Sequence, residues 1–239
     1  EAVRRALEMV REGADIIDVG GESTRPGAEK ISAAQELRRV LPVIEEIAPR
    51  INIPISIDTS KPEVARAAVK AGASIINDVM GTPLDREMAA VAAELGVSIV
   101  IMHIKGEPRT MQADPVYADL IPDVIRALRD SILTAESCGV DGKKIIIDPG
   151  IGFGKTAGHN IEILRRLREF KSLNRPILVG PSRKSFIGAA LGIEDPRRRL
   201  MGTAAAAAAA AINGADIVRV HDVMEIAQLM AMLGKIYSS

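Results

Sequence analysis

Pro54-Ile-Ser-Ile-Asp-Thr59, then Lys61-Pro-Glu-Val-Ala-Arg-Ala-Ala-Val-Lys70, Gly72 and Ser74-Ile-Ile-Asn-Asp-Val79 make up one complete structural unit. Two short apolar runs rich in Ile flank a segment in which Val64, Ala68 and Val69 fall at helical spacing. Asp58-Thr-Ser-Lys-Pro62 is a helix-start signal, and Gly72 sits where a helix ends in a left-handed cap. The unit predicts strand, helix, strand, with each strand ending in a polar residue.

The same pattern recurs outward in both directions. Apolar runs occupy 14–20, 97–103, 144–149, 176–181 and 215–221, which makes seven strands. Helical spacing separates them, as in Val3, Leu7 and Val10, in Ile161, Leu164 and Leu167, and in Ile226, Leu229 and Leu233. Gly13, Gly96 and Gly214 repeat the cap. Near-continuous apolar strands joined through helices predict a parallel sheet covered on both faces, closed or open. The closed (β/α)8 TIM barrel is preferred because Asp18, Asp58, Asn77, His103, Asp148, Ser182, Arg219 and His221 end nearly every strand, where barrel loops build sites. An open sheet would gather them at one switch point. The count is one strand short, since helical pattern begins at Glu1. No linker interrupts 1–239, and Ala204 to Ala211 reads as a tightly packed helix within one domain.

Composition narrows the function. Thirty-one basic residues balance 31 acidic ones, so there is no basic footprint for nucleic acid. Three Phe, two Tyr and no Trp are too few for base-stacking platforms. The single Cys138 forms no intrachain disulfide, which makes a reducing, cytoplasmic setting the default. No apolar run reaches the roughly 18 residues of a membrane span, and no membrane partner is expected.

Several motifs carry chemistry. Asp58, Asn77 and Asp148 would converge at the barrel mouth, where a ligand edge with adjacent N–H donors, such as an amino-pyrimidine, would satisfy them; each alone could be a helix cap. Asp18-Val-Gly-Gly-Glu-Ser-Thr-Arg-Pro-Gly27 reads either as an anion-facing loop carrying Thr24 and Arg25 or as a solvated turn. Gly150-Ile-Gly-Phe-Gly-Lys-Thr156 is not a Walker A loop, because Pro149 stands where Gly is needed, and its fit to a dinucleotide fingerprint lacks the context. A loop that folds Phe153 over a flat ligand is more economical. Lys184, Ser185, Arg219 and His221 follow the last strands, where barrels bind phosphate. His103, His159 and His221 include no H-x-H pair, so zinc is not expected; His159 reads as a surface or capping residue.

These residues together resemble the dihydropteroate synthase family. The matching blocks are 17–27, Ser56-Ile-Asp-Thr59, Ile76-Asn-Asp78, Met102-His-Ile-Lys-Gly106 with Met111-Gln112, 148–155, Ser182-Arg-Lys-Ser185 and Arg219-Val-His-Asp222, in the family's order. The resemblance implies a TIM barrel that joins 6-hydroxymethyl-7,8-dihydropterin diphosphate to 4-aminobenzoate. It assigns Asp58, Asn77, Met102, Asp148, Phe153, Gly180 and Lys184 to the pterin. Thr24, Arg25, Pro26, Phe153, Lys184 and Ser185 fall to the aminobenzoate, and Arg25, Arg219 and His221 to the diphosphate. Lys184, Asp148, Arg219 and His221 are the implied catalytic set, with Mg2+ as cofactor and a homodimer as the assembly. Family members begin with a strand and loop whose Asn serves the magnesium complex. Nothing of that kind precedes Glu1, so no metal ligand is expected here, and truncation or cleavage is favoured over a degenerate barrel. Rival readings are a non-catalytic pterin-binding protein and a pterin-dependent methyltransferase domain.

Overall fold

The computed structural model describes residues 1–23, 29–80, 82–106, 111 and 115–237. Among them the seven expected strands are present: β1 (Ile17–Gly20), β2 (Ile55–Asp58), β3 (Ile75–Asp78), β4 (Ser98–Met102), β5 (Ile145–Asp148), β6 (Leu178–Val179) and β7 (Ile217–Val218). All pairings are parallel and follow chain order from β1 to β5, and β6 pairs with β7. A single bridge from Ile147 to Ile177 carries the order on from β5 towards β6. The helices between them are α1 (Ala2–Arg11), α2 (Ala33–Ile47), α3 (Pro62–Lys70), α4 (Arg86–Leu95), α5 (Leu120–Ser137), α6 (Ala157–Arg165), α7 (Ser185–Leu191), α8 (Leu200–Ile212) and α9 (Val223–Tyr237).

Strand periodicity divides the molecule in two. Ile57, Ile76, Ile99, Ile101, Ile145, Ile147 and Val179 face outward into the main core, against Val64, Met88, Leu128, Ile163 and other helix residues. The alternate positions Ile75, Val100, Ile146 and Leu178 form a separate apolar layer inside the barrel, with Ile16 and Ile217 beside it. Stepping two residues further along each strand puts Asp18, Asp58, Asn77, Met102, Asp148, Gly180 and Arg219 at its inward-facing C-terminal end. The ring of polar groups is thus a consequence of register, set by the apolar layer beneath it.

Local signals behave as read, with instructive exceptions. Gly96 caps α4 in the left-handed region (φ 63°), whereas Gly13, Gly72 and Gly214 take positive φ one residue beyond the cap. His159 is indeed a capping residue: its ring nitrogen accepts from the Thr156 N–H, and the Thr156 hydroxyl accepts from the His159 N–H. β6 pairs over only two residues, and the Ile177 N–H before it donates to the Asp216 carboxylate at 2.8 Å instead of to a neighbouring strand. Among the described residues no ladder joins β7 to β1. Instead Arg219 reaches Asp18, and the Arg5 guanidinium donates to the His221 carbonyl at 3.3 Å.

Ala204 to Ala211 does lie in one helix, α8, and Gly202 in its first turn lets α7 close onto it. A Cβ on Gly202 would lie 2.3 Å from Ile187 Cγ2 and 2.9 Å from Leu191 Cδ1. Gly to Ala inside a helix normally stabilises by up to about 1 kcal/mol. Here overpacking outweighs that gain, and Gly202→Ala is expected to lower stability by about 1–3 kcal/mol in urea unfolding.

Candidate active site

The mouth of the barrel is a network of opposed charges. Arg219, after β7, donates to Asp18 Oδ2 at 2.6 Å and to Asp58 Oδ2 at 2.7 Å, so one guanidinium bridges the ends of β1 and β2. Asp58 is 8% exposed, and burial followed by the facing Asp18 carboxylate pushes its pKa up against the opposing pull of Arg219. Burial also raises Asp148, opposed first by the charge of Lys184 and then by the Gly150 N–H that donates to its Oδ1 at 2.7 Å. Asn77 is buried at the end of β3, between these carboxylates in strand order.

Lys184 enters from the β6–α7 turn. Its ammonium donates to the Ile151 carbonyl and sits 4.6 Å from the centre of the Phe153 ring. Burial lowers its pKa to about 8, although Asp148 acts to raise it. Phe153 is half-buried beside Met102, Val79, Ile104 and Met111, an apolar wall next to the charged ring. Gly180 leaves the floor open, since a Cβ there would stand 3.8 Å from Arg219 Cβ and 3.9 Å from Lys184 Nζ. His221 Nδ1 lies 2.8 Å from Ser182 Oγ, which links the loops after β6 and β7; Ser185 is exposed at the start of α7. A cavity of about 680 Å³ runs from Asp18, Asn77, Lys184 and Arg219 at the mouth past the inner apolar layer to Met9, Ala14, Ala215, Ala227 and Met230 along the seam between β1 and β7.

The structure therefore brings together Asp58, Asn77, Met102, Asp148, Phe153, Gly180, Lys184 and Arg219, with His221 and Ser185 at the rim. Thr24, Arg25 and Pro26, expected at the aminobenzoate, lie outside the described residues. Two groups that the sequence placed in motifs were given no role at the site. Lys155 and His103 touch each other beneath the glycine loop although 52 positions separate them, and only the contrast between a buried lysine and its glycine-rich neighbours hints at it.

The arrangement can hold a flat, donor-rich heterocycle on the carboxylates and an anion on the cations. The profile of the pterin binding enzymes matches residues 1–221. A dihydropteroate synthase of a Synechocystis species is 50% identical over 228 residues, covering 95% of this chain and 79% of that protein. The chain belongs to the dihydropteroate synthase family. Among solved members, the Yersinia pestis enzyme in a sulfonamide complex superposes with a TM-score of 0.96 at 40% identity, covering 99% of this chain and 86% of that one. The Thermus thermophilus enzyme in complex with 4-aminobenzoate gives 0.92 at 44% identity, covering 99% and 90%. The fold is accordingly the family's TIM barrel.

No three His, Cys, Asp or Glu side chains are grouped to hold a metal ion among the described residues. Asp18 and Asp58, the carboxylates nearest the cationic rim, share Arg219 instead. The described donor set does not by itself fit a protein-held ion.

The shared guanidinium makes a signed prediction. Arg219→Gln leaves Asp18 and Asp58 facing each other without their cation, so the Asp58 pKa rises further above its unfolded value. A carboxyl whose folded pKa is raised weakens the fold as pH climbs above its unfolded pKa, up to the folded one. The stability lost by Arg219→Gln relative to the parent is therefore expected to be larger at about pH 8 than at about pH 6. Urea unfolding at the two pH values measures it.

Proposed function

We infer that this chain condenses 6-hydroxymethyl-7,8-dihydropterin diphosphate with 4-aminobenzoate, releasing diphosphate and forming 7,8-dihydropteroate. The observation that carries the reading is the ring of inward strand ends, in which Asp58, Asn77 and Asp148 stand opposite Lys184 and Arg219. The carboxylates accept from the ring N–H and amino donors of the pterin, and Asn77 offers one group of each kind. Met102 and Phe153 flank the ring. Arg219 and His221 take the diphosphate, which requires Arg219 to share or exchange its hold on Asp18 and Asp58.

Chemistry follows from the leaving group's position. The bond from the methylene carbon to the diphosphate oxygen breaks, and positive charge on that carbon spreads into the electron-rich dihydropterin. Asp148 beneath the ring favours that charge, while the cations at the rim stabilise the departing anion. The arylamine nitrogen then forms the new C–N bond and gives up one proton to the departing diphosphate or to water. The amine is already a usable nucleophile, so orientation contributes more than a strong base. Thr24, Arg25 and Pro26, with Phe153, Lys184 and Ser185, are proposed to provide that orientation. Magnesium is proposed as part of the substrate, carried on the diphosphate oxygens, where Mg2+ characteristically keeps phosphate and water ligands.

Diphosphate release is expected to require both 4-aminobenzoate and Mg2+. Asp148→Asn should lower kcat/KM for the pterin substrate by about 100-fold or more, the scale of losing one preorganised electrostatic group. Undiminished turnover in that variant would remove Asp148 from the mechanism. Pterin binding without aminobenzoate-dependent release would mark a binding protein instead.

We also place the enzyme in the cytoplasm as a homodimer. The free Cys138 suits a reducing compartment, and no described helix is long and apolar enough to cross a membrane. Met201 (78% exposed), Met232 (61%) and Ile236 (59%) on α8 and α9 supply apolar surface for a second copy. Sedimentation should give a dimer that Met232→Glu converts to monomer; a monomeric parent at micromolar concentration overturns the assignment.

A further inference from the structure

The glycine loop after β5 is held from below by a lysine that the reaction above does not use. Lys155 is 2% exposed, and its ammonium lies 2.9 Å from His103 Nδ1, 3.0 Å from the Phe153 carbonyl and 3.4 Å from the His103 carbonyl. It thus ties the end of β4 to the residue whose ring borders Lys184. The backbone around it leaves no slack. A Cβ on Gly150 would fall 1.8 Å from the His103 carbonyl oxygen, and one on Gly154 2.2 Å from that of Lys105. Tyr117 donates to the Gly154 carbonyl at 2.8 Å, and the Gly152 N–H donates to Asn160 at 2.7 Å. The loop is pinned on every side, yet a buried lysine remains an expensive pin. An amide or hydroxyl could make the same hydrogen bonds without the desolvation of a charge.

The charge has a specific audience. Lys155 acts on Asp148, lowering its pKa against burial, and Asp148 in turn raises Lys155. Lys184, from the β6–α7 turn, and Arg219, after β7, are the other cations acting on Asp148. From the side of β4, His103 is kept neutral by burial first, and then by Lys155 and Lys105. Burial, with Lys184 adding to it, brings Lys155 down to about 7. We propose that Lys155 is a positioning residue of the pterin site, holding the 150–154 loop against His103 and setting a further positive charge, beyond those of Lys184 and Arg219, beside Asp148 on its closed side. Lys184 meets the ligand, whereas Lys155 acts through Asp148 and Phe153. The inference rests on the function proposed above, in which Asp148 works as a carboxylate.

Two variants of the full chain separate tether from charge. Lys155→Gln keeps hydrogen-bonding groups and removes the charge, and Lys155→Met removes both. The pH profile of kcat/KM for the pterin diphosphate is the deciding readout, with urea unfolding to confirm that each variant is folded. Without the buried cation Asp148 ionises at higher pH. The acid limb is therefore expected to move up by about half a pH unit or more in both variants, which lowers kcat/KM on that limb by about threefold or more. The Met variant should lose more at every pH. A folded Gln variant with the parental acid limb overturns the proposal.

The unmodified enzyme supplies a second test if neither variant folds. In 13Cε-lysine NMR two lysine resonances should titrate well below the rest, and both should shift when the pterin substrate is added. Finding only one such resonance, or one that ignores the ligand, overturns the proposal equally. A parent chain that neither binds the pterin nor releases diphosphate would instead sink the underlying function, an outcome distinguishable from unaltered variants of an active parent.

Discussion

An isolated carboxylate costs several kcal/mol to bury even after relaxation, so it persists inside a protein only with partners that lower this cost. The mouth of this barrel buries Asp58, Asp78 and Asp148 together, within reach of Arg219, Lys184 and Lys155. Asp78 is satisfied locally by the Met80 N–H, but the other two depend on cations from distant strands and loops. Compensation is incomplete, because both remain raised above the usual carboxylate range. That residual cost is what a ligand rich in N–H donors can relieve on binding. The site is therefore conditioned by an electrostatic deficit as much as by its shape.

A second deficit is visible outside the mouth. Glu36 on α2 is fully buried, and Lys61, at the start of α3, lies 2.6 Å from its Oε2 and also contacts Glu22. Glu22 accepts from the Ile31 N–H at 3.2 Å, bringing together two points on either side of residues 24–28. Glu36 also adds to the field that raises Asp58. The Glu22–Ile31 contact and the ionisation of Asp58 are thus connected through one helix.

Much of this was legible in the chain itself. Apolar runs of Ile and Val located all seven strands, because a parallel strand buried on both faces needs a continuous apolar run. The polar residues closing those runs, Asp58, Asn77 and Asp148, were thereby legible as groups that converge at the mouth. Strand lengths were less legible, as β6 shows, since ladder pairing depends on neighbours that the local sequence does not reveal. The charge partners were not legible at all. Arg219 reads as an anion ligand after the last strand, and nothing within 200 residues of it identifies Asp18 as its partner. Lys155 was obscured by its own motif, where Gly-Lys-Thr draws attention to phosphate loops while the side chain turns inward to His103.

The strand order has a bearing on how the protein is made. β1 to β5 pair only with sequence neighbours, so each can dock in chain order as it leaves the ribosome. Arg219 is synthesised some 200 residues after Asp18. Until it arrives, the nascent barrel carries Asp18 and Asp58 without their shared guanidinium, a half-built mouth of uncompensated negative charge. Arg219, arriving after β7, then supplies the guanidinium that joins the ends of β1 and β2, so the charge balance of the mouth is completed only late in synthesis.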